Sequence, residues 1–274
     1  MTMKSKTILI LSLLSLLALL FSSGCGKKSQ GGVEGEPMDV LRQASESMAR
    51  VQTYRLKGTM SMKAAALMGT GSDSWTVEMN SEIENRDGDV RQHMSMSVSG
   101  ISMDAYLVEG VYYQQLPGEG WMKMSLAEYR TQNMDLGMVD PEQLGILADS
   151  ALDLKVVGED QEAVGVSFRL GKEYLLASID LYRRNMQDGG EQELEGLEML
   201  EKSAEDFSAT VSMWIRKADM LIRNMEMSYA FGDLGGMGSV ETTMKAEYYD
   251  YNADIKVELP EEAREAKEFD SSAT

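Results

Sequence analysis

Residues 54–63 read YRLKGTMSMK. Tyr54, Leu56, Met60 and Met62 fall on every second position, and Arg55, Lys57, Thr59, Ser61 and Lys63 fill the positions between. A repeat of two sends one set to one face of an extended strand and the other set to the opposite face. Gly58 continues the apolar face without a side chain. The same alternation returns at Trp75-Val77-Met79-Ile83, at Met94-Met96-Val98 and at Met103-Ala105-Leu107, and Val111 to Leu116 and Trp121 to Met124 follow as shorter strands. Asp87-Gly88, Glu109-Gly110 and Gly118-Glu119-Gly120 are hairpin punctuation between them. Strands joined by such short turns make an antiparallel meander.

The flanks change period. Pro37 to Val51 carries Met38, Leu41, Met48 and Val51 on one helical face and Arg42, Glu46 and Arg50 on the other. After the meander, Ser125 to Glu128 fits a capping box. Asp140-Pro141-Glu142-Gln143 gives a cap and a first-turn Pro for a helix with Leu144, Leu147 and Ala151 on its apolar side. A strand pair is expected at Leu154 to Val157 and Val164 to Leu170. Two helices follow at 172–187 and 191–204, split by Gly189-Gly190. Their apolar positions are Leu175, Ile179, Tyr182 and Met186, then Leu194, Leu197 and Leu200. Strands resume over Phe207 to Ile215, Leu221 to Phe231 and Val240 to Tyr248. Ile255 to Val257, Leu259-Pro260 and a charged helix reaching Phe269 close the chain. Strand and helix never alternate in the manner of a parallel sheet. The expected class is α+β, one domain around a large antiparallel sheet.

Composition narrows function. The 274 residues hold 26 Lys and Arg against 45 Asp and Glu, a formal net charge of −19. Nucleic-acid binding is excluded, because releasing counterions from phosphates needs clustered cations. One His and one Cys exclude a His-rich metal site, a Cys-x-x-Cys redox pair and an intrachain disulfide. No cofactor is indicated.

The N-terminus reads MTMKSKTILILSLLSLLALLFSSGCGKK. Lys4 and Lys6 form a basic start, Ile8 to Phe21 an apolar run, and Ser22-Ser23-Gly24 small residues before the only cysteine, Cys25. That is the order of a secretory signal, with an apolar run shorter than the ~20 residues a spanning helix needs. It resembles a bacterial lipoprotein signal, with Cys25 as the lipid-bearing first residue of the mature protein. Ser22 stands where Leu is commonest in that motif. The expected organisation is a signal peptide over 1–24, a lipidated cysteine and Gly-rich polar tether over 25–37, and a folded domain over 38–270. Residues 26–36, GKKSQGGVEGE, reach at most ~35–40 Å. The domain then stands off a membrane on its extracytoplasmic side, at the cell surface or in a periplasm.

Further residues carry a family resemblance. Asp39 to Met48 followed by Val51-Gln52-Thr53-Tyr54-Arg55, Tyr112-Tyr113 with Gly120-Trp121-Met122-Lys123, and Tyr249 to Asn252 with Leu259 to Ala263 resemble a group of bacterial lipoproteins. That group is similar to the LppX–LprG lipoproteins and, more distantly, to the lipoprotein carrier LolA. The resemblance covers roughly residues 38–268 and rests on structural signatures. It implies an incomplete β-barrel, a bent antiparallel sheet whose concave face is covered by helices and can hold acyl chains.

Methionine is the informative residue, at 23 against 5 Phe. Met60, Met62, Met79, Met94, Met96, Met103, Met213, Met225, Met227 and Met244 fall on the alternating apolar positions of expected strands. An unbranched, polarizable thioether reshapes around ligands of different outline. Burial stabilises such a side chain by ~1.5–3 kcal/mol whether its neighbour is a helix or a lipid tail, so the pattern fits a dry core and a lipid cavity alike. His93, between Gln92 and Met94, reads as a solvated strand histidine, since no nucleophile signature accompanies it. Asp87-Gly88-Asp89 lacks the Glu at position twelve of a calcium loop and reads as a turn. The Glu-rich 191–205 segment reads as a solvated face. Trp75, Trp121 and Trp214 read as packing residues, with Trp121 also placed to form a pocket rim.

Two functions fit. One is a membrane-anchored lipoprotein that carries a lipid or acyl chain in a Met-lined half-barrel, with helices around 126–151 and 172–204 as a lid. The other is an envelope interaction or sensor lipoprotein with a filled core, a protein partner and no small ligand. Enzyme chemistry is not indicated.

Overall fold

The computed structural model describes residues 36–65, 72–86, 89–126, 129, 141–185, 197–198, 200–232 and 239–269. Helix α1 spans Pro37–Met48. The meander follows as β1 (Thr53–Ala65), β2 (Ser72–Arg86), β3 (Asp89–Val98), β4 (Ile101–Val108), β5 (Val111–Leu116) and β6 (Gly120–Ser125). Next come α2 (Pro141–Asp149), β7 (Leu152–Glu159), β8 (Ala163–Leu170), α3 (Lys172–Asn185) and a 3₁₀ turn at Ala204–Asp206. Strands β9 (Ser208–Arg216), β10 (Ile222–Phe231) and β11 (Val240–Tyr249), helix α4 (Glu261–Arg264) and strand β12 (Lys267–Glu268) complete the order.

The twelve strands among the described residues form one sheet in the order β12-β6-β5-β4-β3-β2-β1-β11-β10-β9-β8-β7. Every neighbouring pair is antiparallel except β12 with β6. The end strands β12 and β7 do not pair with each other, so the sheet is open. The seam between its halves is β1 against β11, from Arg55 opposite Tyr249 to Ala64 opposite Val240.

Local chemistry sets the turns. Ser99 and Gly100 both have positive φ, as do Glu109 and Gly110, which is what two-residue hairpin turns between right-twisted strands require. Proline at the start of α1 supplies a preset φ where no helical N–H bond is lost. Val40, Leu41, Ala44 and Met48 of α1 are buried, as are Leu175, Ile179 and Tyr182 of α3 and the helical residues Leu197 and Leu200. These pack with the inner residues of the strands into one contiguous core. The helices thus cover one face of the sheet.

The outer face carries a smaller cluster. Past β11 the chain runs back over β2 to β4, where Ile255 and Val257 pack with Val108, Tyr106 and Leu259. Thr53 Oγ1 donates to the Ala253 carbonyl at 2.6 Å, and the Val257 N–H donates to the buried carboxylate of Glu84 at 2.8 Å. Ile255 to Val257 is therefore a strap across the sheet rather than a strand. The charged helix expected to reach Phe269 is one turn only. Beyond it, Lys267 and Glu268 lie parallel to Met122 and Lys123, and the Phe269 N–H donates to the Lys123 carbonyl at 2.9 Å. Pairing along the exposed β6 edge outweighs the helical propensity of that segment.

Candidate functional site

The strand register gathers the methionines. One row crosses eight strands from β4 to β8: Met103, Met96, Met79, Gly58, Ala246, Met225, Met213 and Val166. At ~4.8 Å between strands it is ~34 Å long. The next row runs Val77, Met60, Met244, Met227, Val211 and Phe168. Met62 lies opposite Trp75 and Thr242, and Met94 opposite Ser81 and Ala105. All ten methionines are buried, from 0% exposure at Met60 to 9% at Met227. Nine join the contiguous core; Met103 is buried outside it.

The middle of the first row is low. A Cβ on Gly58 would sit 2.8 Å from the Lys245 carbonyl oxygen and 3.4 Å from Met79 Cγ, so glycine lets β1 and β11 approach at the seam. With Ala246 beside it, Gly58 makes the stretch of this row between Met79 and Met225 a strip of the two smallest residues. Two rows from that strip stands a tyrosine group that the alternation presented only as apolar. Tyr54 lies 6.3 Å from Tyr248 and 6.0 Å from Tyr251, ring centre to ring centre. The Tyr251 hydroxyl donates to the Ile222 carbonyl at 2.6 Å. The Tyr54 hydroxyl, on a residue 2% exposed, has no hydrogen-bond partner among the described residues. Burial pushes its pKa well above the ordinary phenol value, so it is a neutral donor. Elsewhere on this face Gln92 Nε2 donates to Ser81 Oγ at 2.9 Å, and Tyr112 stacks on Tyr129 at 3.9 Å.

His93 sits on the outer face with company. Its Nε2 is 2.9 Å from Asp104, its Nδ1 4.0 Å from Glu82, and its ring stacks on Tyr106 at 4.4 Å. Glu82 also accepts from Arg55, which bonds Asp250 in turn. These groups form a ladder of ion pairs across adjacent strands, each more than a quarter exposed. Trp121 is half-buried on the same face, 5.7 Å from Tyr106.

Trp214 also lies on the outer face. Cβ atoms on Gly158 or Gly165 would meet its ring at 3.1 Å, and Arg223 is 5.5 Å from the ring centre. Two glycines beneath and a guanidinium above make it a packing residue. An open groove of about 490 Å³ beside it is lined by Lys57, Thr59, Arg223, Glu226 and Lys245. A second groove, about 420 Å³, lies between Ile146 of α2 and Ala177, Asp180, Arg183 and Arg184 of α3.

At the described end of the acidic segment two glutamates pair with basic residues of α3. Glu201 takes both guanidinium nitrogens of Arg183 at 2.7 Å, which lowers its carboxyl pKa, and Glu205 binds Lys172 at 2.8 Å. These pairs hold the end of that segment to α3. Cys25, the tether up to residue 35, Asp87-Gly88, Met186, Leu194 and most of the 126–140 region lie outside the described residues, and Pro37, expected at the end of the tether, opens α1. No helix among the described residues is long and apolar enough to cross a membrane.

A family model described as a family of unknown function, DUF6612, matches residues 36–268. No curated protein matches the chain in sequence. Among solved structures, it is similar to the Mycobacterium tuberculosis lipoprotein LppX at 11% identity, over 81% of this chain and 98% of that chain, with a TM-score of 0.42. A DUF1329 family protein from Desulfovibrio piger is similar at 11% identity, over 81% of this chain and 93% of that chain, with a TM-score of 0.28. MucB in complex with MucA(peri) is similar at 14% identity, over 82% and 100% of the two chains, with a TM-score of 0.24.

Proposed function

Since the chain belongs to the DUF6612 family, whose description assigns no activity, we propose from its own chemistry that it is a lipid-anchored extracytoplasmic protein that binds a hydrophobic ligand on its methionine face. The observation that carries this reading is the collection of ten methionines on one helix-covered face of an open sheet. A core needing only stability is served by Leu, Ile and Val, which hold defined rotamers. Methionine gives up that definition for adaptability, which a surface receiving varied acyl chains needs. Helices α1 and α3 bear on this face and would move to admit a ligand.

The test is native mass spectrometry of the full chain purified from a bacterial membrane, paired with lipid extraction. A stoichiometric lipid is the expected result. A chain that stays free of lipid after incubation with vesicles would end the carrier reading and favour the second one, an envelope interaction protein with a filled core. That second reading draws on the tight burial of the same methionines and on the open groove that leaves Arg183 and Arg184 at its margin.

The anchor has its own prediction. Cys25→Ala should move the chain from the membrane fraction to the soluble fraction, because the two acyl chains of a thioether-linked diacylglycerol hold by ~0.8 kcal/mol per buried methylene. Continued partitioning into detergent by the variant would defeat lipidation at this residue.

A further inference from the structure

Two buried polar groups on the inner face, the Tyr54 hydroxyl and Trp75 Nε1, lack a hydrogen-bond partner among the described residues, and Tyr54 is the one that stands at the end of the Gly58–Ala246 line. Its ring is packed in the main core, its residue is 2% exposed, and no described residue accepts its proton. Leaving a buried hydroxyl unsatisfied is costly, and native proteins rarely do so without reason. A phenylalanine here would supply the same ring without that cost. The position of the hydroxyl supplies the reason. On the inner face of β1, Tyr54 is followed by Leu56, opposite Tyr248, then by Gly58, opposite Ala246, then by Met60, opposite Met244. The line from Tyr54 to Met60 is ~20 Å at strand rise. One acyl chain fills about half of a ~30 Å hydrocarbon core, so this strip is long enough to hold one. Its floor is lowest at Gly58 and Ala246, and flexible methionines border it.

We propose that Tyr54 donates its hydrogen bond to the carbonyl of a neutral acyl ester whose chain lies along the Gly58–Ala246 strip. This rests on the reading of the methionine face as a lipid-binding surface. The neutral class follows from the surroundings. The rings nearest Tyr54 are phenols, and the guanidinium 5.0 Å from the Tyr251 ring, that of Arg216, is already paired with Asp219. With that guanidinium committed, a carboxylate or phosphate at this point would be buried without a partner among the described residues, whereas an ester carbonyl needs one donor and brings no charge.

The test uses the full chain in amphipol, equilibrated with equal amounts of monooleoylglycerol, oleate and 1-octadecene, followed by extraction and mass spectrometry. Wild type should enrich monooleoylglycerol over both others. Tyr54→Phe should lower monooleoylglycerol occupancy relative to octadecene by about tenfold, the effect of one lost hydrogen bond, with octadecene unchanged. The variant should melt no lower than wild type, since its hydroxyl has no protein partner to lose. Tyr251→Phe is the control: its hydroxyl is committed to the Ile222 carbonyl, so it should lose stability and keep the selectivity. Equal enrichment by wild type and Tyr54→Phe, or a wild-type preference for oleate, would overturn the assignment while leaving lipid binding intact. Wild type taking up none of the three would remove the lipid reading and this one together.

Discussion

Met60→Asp is expected to abolish folding. Met60 is fully buried between Val77 and Met244, and it forfeits ~1.5–3 kcal/mol of apolar transfer when replaced by a polar group. The carboxylate then adds several kcal/mol more, because it is either an unpaired charge in the core or a protonated acid without hydrogen-bond partners. Together these approach the ~5–15 kcal/mol that holds an ordinary domain together. Circular dichroism during urea titration should show no cooperative transition for the variant. Met60→Leu, nearly equal in volume, should cost less than about 1.5 kcal/mol. A Met60→Asp chain with a normal transition would mean that water reaches this face, and the methionines would then line a wet cavity rather than a dry interior.

Gly58→Val is the second large effect, expected at about 3 kcal/mol. The new Cβ would stand 2.8 Å from a backbone oxygen of β11, and no rotamer change relieves a clash with backbone. Relief has to come from widening the seam that joins the two halves of the sheet. The urea midpoint should fall, and ligand capacity with it, because the valine also fills the strip between Met79 and Met225. Gly145→Ala is the contrast: it sits in α2 with open space around its Cβ position and should stabilise by ~0.5–1 kcal/mol.

Much of this architecture could be read from residue order. The alternation beginning at Tyr54 located β1, and its recurrences located the rest of the meander and β9 to β11, because a half-buried strand must alternate. The methionine positions followed for the same reason. Their assembly into rows did not, since register depends on which strand pairs with which, and the β1–β11 pairing joins residues from opposite ends of the chain. Tyr54 was legible as an inward residue, yet its idle hydroxyl was not, because accepting groups come from distant segments. Ile255 and Val257 alternate as strand residues do, and both point into a small core. The N–H of Val257 goes instead to a side chain, that of Glu84. The end of the chain misled for a different reason: Glu261 to Phe269 is rich in helix formers, and only the free edge of β6 explains why it stops after one turn.

The seam also dictates the order of events in biogenesis. Strand β1 emerges early, and its partner β11 arrives roughly 190 positions later. Until then β1 is the raw edge of one half-sheet and β10 becomes the raw edge of the other. Such long-range closure is slow, and unpaired apolar edges invite aggregation while it is pending. A ribosome that stops short of residue 240 leaves both edges open for good. The polypeptide therefore commits to its native form only near the end of synthesis, once residues 240–249 are free to pair with β1.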